Sequence, residues 1–180
     1  MKKPLILINF KTYEQTTGKK ALKLAKAIDK FGSKKSRSAE KYQLAVSPQL
    51  VDLKEIKKTI RIPVFAQHLD NIDHGSHTGS VLPEAVKAAG ATGTILNHSE
   101  KKIKLPKLKE TLGICKQLNL KTIICTGSLA GVKKLIKLQP NYIAYEPKKL
   151  IGKNVSVTQT NPKIILKAVK LIEKKNSKTK

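Results

Sequence analysis

The sequence has no long apolar run and no N-terminal segment typical of secretion. No stretch of its 180 residues approaches the ~18 consecutive apolar residues of a transmembrane helix. Lys2-Lys3 followed by Leu5 to Ile8 begins like a signal peptide, but the apolar run is too short and Lys11 interrupts its continuation. We therefore expect a cytoplasmic protein that has no membrane partner.

Cysteine is also scarce. Cys115 and Cys125 are the only two, and their separation is not that of a metal-binding pair. Two such residues are typical of free, reduced thiols rather than of a disulfide framework, which agrees with a cytoplasmic location.

Acidic residues and arginine are rare, whereas lysine is abundant. The formal net charge is +25, yet only Arg37 and Arg61 among the 37 basic residues are arginine. Base readout and bidentate phosphate binding favour arginine. The lysines are spread over nearly every predicted helix, and the most basic segments are the loop at 34–37 and the tail at 174–180. We expect a solvated lysine-rich surface and no nucleic-acid partner, with polyanion binding as the alternative.

Short apolar runs alternate with longer amphipathic stretches, as in a parallel α/β fold. The chain length and the lack of a domain boundary predict one domain. The predicted strands are 5–9, 42–46, 64–67, 93–97, 121–125 and 142–145; the predicted helices are 19–31, one beginning near 47–48, 82–89, 105–118, 129–138 and 161–175.

Three polar side chains follow predicted strands. Lys11 follows the first strand, His98 the fourth and Glu146 the sixth. In a parallel α/β barrel the carboxyl ends of all strands lie on the face that carries the active site. A cation, an imidazole and a carboxylate there could move a proton next to a carbonyl. Taken singly, each also has a structural interpretation: a loop lysine, a hydrogen-bonded histidine and a surface charge.

Several segments follow one another in the order found in one enzyme family. They are Asn9-Phe10-Lys11-Thr12-Tyr13, Ala66-Gln67-His68-Leu69-Asp70, Gly75-Ser76-His77-Thr78-Gly79, Asn97-His98-Ser99-Glu100, Ala144-Tyr145-Glu146-Pro147 and Leu150-Ile151-Gly152. From the first strand to about Pro162, the chain resembles the triosephosphate isomerase family, particularly its short archaeal form.

The resemblance implies a TIM (βα)₈-barrel and an aldose-ketose isomerase that needs no cofactor. Such an enzyme interconverts dihydroxyacetone phosphate and D-glyceraldehyde 3-phosphate through an enediolate. Glu146 matches the family's general base, His98 its electrophile and Lys11 the ammonium that stabilises negative charge. The family is the standard example of an imidazole kept neutral by a helix N-terminus. Ser99-Glu100 is expected to open that helix here.

The same resemblance implies the other site residues. Asn9 and the amide of Gly152 match substrate-binding groups, and Glu100 matches a structural acid near the lysine that could assist proton shuttling. Pro147 to Val157 matches the lid over the substrate phosphate, where Gly152-Lys153-Asn154 departs from the usual Gly-Thr-Gly. Thr78 matches a residue that reaches the catalytic groups of a neighbouring subunit, which implies a homo-oligomer, either a dimer or a tetramer.

One segment has a competing interpretation as a metal site. Three histidines and two aspartates lie within ten residues and include common metal ligands: His68, Asp70, Asp73, His74 and His77. The family resemblance places this segment in the loop after the third strand instead, so we predict no metal.

A barrel of this family has eight βα units, and the sequence predicts about six. We expect an incomplete barrel domain at 1–175, a basic tail at 176–180 and unpaired edges on the first and sixth strands. A truncated fragment, half of a split enzyme with a complementing chain, and a reduced protein closed by self-association all remain open. Alone, the chain is expected to bind phosphate weakly and to have low activity. The alternative function is a degenerate or split barrel that acts as a binding or assembly subunit.

Overall fold

The computed structural model of the protein describes residues 4–32, 41–147, 162–175 and 179–180. The chain forms two compact units, Met1–Thr94 with Leu118–Leu120 and Ile95–Gln117 with Lys121–Lys180. Strands and helices alternate along both units, which confirms the predicted α/β class. Among the described helices, none combines the length and the apolar character needed to cross a bilayer.

Among its described residues, the first unit contains three complete strands and the start of a fourth. Its elements are β1 (Leu5–Asn9), a 3₁₀ helix (Glu14–Thr16), α1 (Gly18–Gly32), β2 (Gln43–Ser47), α2 (Leu50–Thr59), β3 (Phe65–Ala66), α3 (Pro83–Ala88) and the first half of β4 (Gly93–Leu96).

The strands of the first unit run parallel. Strand β1 pairs with β2 from Leu5↔Gln43 to Asn9↔Ser47, and Val46↔Val64 continues the pairing toward β3. Phe65↔Gly93 begins the pairing of β3 with β4. Parallel strands end at a common edge, so the residues that follow β1, β2 and β3 are neighbours there.

Small residues and acidic side chains set the positions of the first two helices. Ala21 and Ala25 are fully buried on one face of α1, where the absence of a long side chain allows close packing. Asp52 of α2 accepts a hydrogen bond from the Gly18 amide at 3.0 Å. Asp29 of α1 accepts one from the Arg61 amide, which follows α2, at 2.8 Å. The two helices are therefore joined by hydrogen bonds as well as by apolar packing.

The second unit continues the alternation. After the end of β4 it contains α4 (Leu105–Gln117), β5 (Lys121–Thr126), α5 (Leu129–Ile136), β6 (Tyr142–Tyr145) and α6 (Pro162–Lys175). Strand β5 pairs in parallel with β6, and the register ends at Thr126↔Tyr145. Helices α5 and α6 pack through one apolar cluster formed by Val132, Ile136, Ala168 and Ile172.

The last two residues lie beside β6. The Lys180 amide donates to the main-chain carbonyl of Asn141 at 3.0 Å, and the Lys180 carbonyl accepts from the Ile143 amide at 2.8 Å. Thr179 is buried and its hydroxyl donates to the Pro140 carbonyl at 2.8 Å. The prediction of an unpaired edge on β6 is therefore wrong at Asn141 and Ile143. Their main-chain carbonyl and amide form hydrogen bonds with Lys180, which belongs to the expected tail. Residues 176–178 lie outside the described part of the chain.

Candidate active site

The turn after β1 holds Lys11 in an unusual backbone conformation. Lys11 has φ 50°, in the left-handed region that residues other than glycine seldom adopt. Its amide donates to Oδ1 of Asn9 at 3.0 Å. The hydroxyl of Thr16 donates to the carbonyl of the buried Phe10 at 2.6 Å. These bonds stabilise a conformation that is costly for an isolated lysine.

Gln67 joins the ends of three strands. It follows β3, and its Nε2 donates to the Lys11 carbonyl at 3.0 Å and to the Ser47 carbonyl at 3.1 Å. Asn9 Oδ1 lies 3.4 Å from the same nitrogen. Sequence reasoning assigned Gln67 no role. The available signal was an amide side chain in the last position of a predicted strand, 64–67, as Asn9 is in the predicted strand 5–9.

His98 and Glu146 meet in the second unit. Nε2 of His98 lies 3.8 Å from Oε2 of Glu146, and their side chains are 13% and 38% exposed. The Glu146 amide donates to the Thr126 carbonyl at 2.8 Å, which fixes the main chain just after β6. A gap of 3.8 Å is too long for a hydrogen bond. The imidazole and the carboxylate therefore do not hydrogen-bond to each other, and each can act on atoms of a third molecule placed between them.

The other ring nitrogen of His98 faces Glu100. The Glu100 amide donates to Nδ1 of His98 at 3.3 Å. Oε2 of Glu100 is also 3.3 Å from Nδ1, but this side chain is 57% exposed and its charge is screened by water. A main-chain donor makes Nδ1 an acceptor, so the neutral ring carries its proton on Nε2, the nitrogen nearer Glu146.

The segment after His98 forms a turn instead of the predicted helix. The Lys101 amide donates to the His98 carbonyl at 3.0 Å, and the next helix begins only at Leu105. The expectation that Ser99-Glu100 opens a helix is wrong, because this turn uses the main-chain groups that a helix would need. Ser99 Oγ is buried and has no hydrogen-bond partner among the described residues, so it caps no helix there.

Both cysteines are free, as predicted, and the structure buries them. Burial raises the pKa of Cys115 from 9.0 to about 12. Burial, followed by the negative charge of Glu146, raises the pKa of Cys125 to about 12 as well, while Lys102 opposes the shift. Neither thiol is a nucleophile near neutral pH.

Comparison with known proteins identifies the family. Its sequence model, described as triosephosphate isomerase, matches residues 4–180. The chain belongs to the triosephosphate isomerase family. It is 40% identical to the triosephosphate isomerase of Methanocaldococcus jannaschii over 176 residues, 98% of this chain and 78% of that protein. Identity to the enzyme of Methanobacterium bryantii is 40%, over 96% of this chain and 74% of that protein. Identity to the enzyme of Methanothermus fervidus is 38%, over 98% of this chain and 77% of that protein.

Membership in the triosephosphate isomerase family confirms the predicted family, its isomerase class and its archaeal character. The residue roles stay predictions. The structure brings Asn9 and Lys11 together in the first unit, and His98, Glu100 and Glu146 in the second. Gly152 and lid residues 148–157 lie outside the described residues.

The loop that the family resemblance assigns to subunit contact is exposed at its tip. Thr78 lies in the turn that the Ser80 amide closes on the His77 carbonyl at 3.0 Å. At the base of the loop, Asp70 accepts a hydrogen bond from the Val81 amide at 2.7 Å. The competing interpretation of this segment was a metal site formed by its histidines and aspartates. Within 4–32, 41–147 and the other described residues, no three potential ligands come together.

Proposed function

We propose that this chain catalyses the interconversion of dihydroxyacetone phosphate and D-glyceraldehyde 3-phosphate. The observation that carries the proposal is the pair formed by His98 Nε2 and Glu146 Oε2, 3.8 Å apart after β4 and β6. A carboxylate and an imidazole at this separation can contact neighbouring carbon and oxygen atoms of a small hydroxycarbonyl substrate. The family match supports the same reaction and does not favour the assembly-subunit alternative.

Glu146 is the proposed base. Its carboxylate takes a proton from the hydroxyl-bearing carbon beside the carbonyl, and the C–H electron pair becomes the double bond of an enediolate. The same group then returns the proton to the neighbouring carbon, so no external oxidant or reductant is needed. A side chain that is 38% exposed can reach substrate while its main chain is held by Thr126.

His98 is the proposed electrophile. With Nδ1 accepting from the Glu100 amide, Nε2–H donates to the carbonyl oxygen and stabilises the charge that develops on it. The ring then moves protons between the two enediolate oxygens. We assign Glu100 and Ser99 supporting roles around the ring.

The groups that bind the negatively charged substrate are assigned to the β1 end and to the lid. We propose that the Lys11 ammonium stabilises the enediolate, that Asn9 binds substrate beside it and that the Gly152 amide binds the phosphate. No cofactor or metal takes part in this mechanism.

We also propose that the protein is cytoplasmic and forms a homo-oligomer, with Thr78 reaching the site of a second subunit. The two buried free thiols agree with a reducing compartment. Light scattering during size-exclusion chromatography tests the assembly, and a monomer at every concentration would contradict it.

The decisive experiment is a coupled isomerase assay of the 180-residue chain and its Glu146→Gln variant. Because the amide cannot accept the carbon-bound proton, kcat should fall about 10²- to 10⁴-fold. Glu173→Gln, which makes the same chemical change at an exposed position of α6, is the matched control. Undiminished activity in Glu146→Gln would remove Glu146 as the base. A parent protein without activity would favour the assembly-subunit function.

A further inference from the structure

Asn97, between the end of β4 and His98, has a left-handed backbone. Its φ is 56°, a conformation that bulky residues avoid and that asparagine tolerates better than most. The backbone therefore leaves the extended conformation of β4 one residue before the imidazole. A change at this position is expected to move His98 before it affects any other group of the site.

Both ends of the Asn97 amide are used. Nδ2 donates to the Cys125 carbonyl at 2.9 Å, and Oδ1 accepts from the Ile103 amide at 3.0 Å. The main-chain carbonyl of Asn97 accepts from Nζ of Lys102 at 3.2 Å. These three bonds connect the residue to β5 on one side and to the segment leading into α4 on the other.

Strand β5 links this arrangement to Glu146. The carbonyl of Cys125 accepts from the Asn97 side chain, and the carbonyl of the next residue, Thr126, accepts from the Glu146 amide at 2.8 Å. Two consecutive carbonyls of one buried strand therefore hold the residue before His98 and the main chain of Glu146.

From this geometry we infer that Asn97 is a positioning residue for the isomerase reaction: its left-handed backbone and two amide hydrogen bonds set the imidazole of His98 relative to Glu146. The inference rests on the proposed function, and Asn97 acts through His98 without touching substrate. Loss of the amide should lower kcat, because misplacing a reacting group by an ångström slows chemistry strongly even when substrate still binds.

Two substitutions test the inference. Asn97→Gly keeps the left-handed backbone without strain and removes the side-chain bonds. Asn97→Asp keeps the acceptor for Ile103 but places an oxygen against the Cys125 carbonyl. The matched control is Asn119→Gly, since Asn119 is an exposed asparagine with φ 53°.

We expect kcat of Asn97→Gly and Asn97→Asp to fall about 10- to 100-fold with little change in KM, and the control to keep the parent values. Unchanged kcat in both Asn97 variants, a change in KM alone, or an equal loss in Asn119→Gly would overturn the inference. If the glycine variant fails to fold by circular dichroism, the aspartate variant alone decides between these outcomes.

A second measurement separates this inference from the proposed function. The ring nitrogen NMR signals of His98, assigned with a His98→Gln variant, should shift in Asn97→Gly and stay in place in Asn119→Gly. This readout does not need turnover. A parent without isomerase activity would refute the proposed function, and the positioning role would then be judged on these signals. Ring signals unchanged in Asn97→Gly would refute the positioning role.

Discussion

The side-chain amide of Gln67 donates to the main-chain carbonyl of Lys11 at 3.0 Å. This bond joins the residue after β3 to Lys11, which follows β1 and has a φ of 50°. A left-handed lysine persists only where its surroundings compensate for the strain. Asn9, at the end of β1, and Gln67, directly after β3, provide that compensation.

Replacing Gln67 with leucine should weaken both stability and substrate binding. The change keeps most of the side-chain volume but leaves the carbonyls of Lys11 and Ser47 without this donor, which should cost about 1–3 kcal/mol of unfolding free energy. Urea unfolding measures the loss, and KM should rise as Lys11 moves. Gln117→Leu, at an exposed position of α4, is the control. Equal stability of the two variants would contradict the role given to Gln67.

Removing the charge of Lys11 should impair catalysis. Lys11→Met keeps the length of the side chain but removes the ammonium, and kcat/KM should fall about 10²- to 10³-fold, as for loss of one group that stabilises a developing oxyanion. Lys23→Met, at an exposed position of α1, removes the same net charge. Similar losses in both variants in the coupled assay would show that overall charge, rather than Lys11 itself, attracts the substrate.

Replacing each of two helical glycines with alanine should change the stability of the protein in opposite directions. A Cβ at Gly131 in α5 would overlap Oγ1 of Thr126, whereas one at Gly113 in α4 would meet nothing within 4 Å. We expect Gly131→Ala to destabilise the protein by about 1–3 kcal/mol. Gly113→Ala should stabilise it by about 0.5–1 kcal/mol through helix propensity. Thermal unfolding compares them. The first variant should also lose activity, because Thr126 holds the Glu146 amide; stabilisation by both changes would contradict the contact.

The buried thiols should make stability fall in alkaline solution. The pKa values of Cys115 and Cys125 are raised to about 12 in the folded protein, so the thiols stay protonated there while those of the unfolded chain ionise from about pH 9. The unfolded state then binds fewer protons, and unfolding should become easier by about 1.4 kcal/mol per thiol between pH 8 and pH 10. Urea unfolding across this range measures the slope. The double variant Cys115→Ala/Cys125→Ala should show a smaller slope, and identical slopes would refute the prediction.

Local sequence patterns predicted most of the elements. The predicted bounds of β1 and β6 agree with the structure, and α4 differs by one residue, because alternation and helical spacing are properties of neighbouring residues. The positions of Lys11, His98 and Glu146 after three strands followed from the same patterns.

The features that the sequence did not predict depend on hydrogen bonds between residues distant in sequence or between main-chain groups. Gln67 reaches Lys11 across 56 positions, and Asn97 reaches Cys125 across 28. No local pattern encodes either partner. The turn after His98 replaced a predicted helix start because a serine–glutamate pair fits both structures, and the main-chain bond of Lys101 decides between them.

The donor to Nδ1 of His98 belongs to the main chain of residue 100 and not to its side chain. Every amino acid except proline supplies that N–H. The tautomer of the imidazole is consequently insensitive to most substitutions at position 100, and engineering that alters the Glu100 carboxylate can vary the surrounding charge while the proton stays on Nε2. The side chain at position 100 and the tautomer of His98 can thus be changed independently of each other.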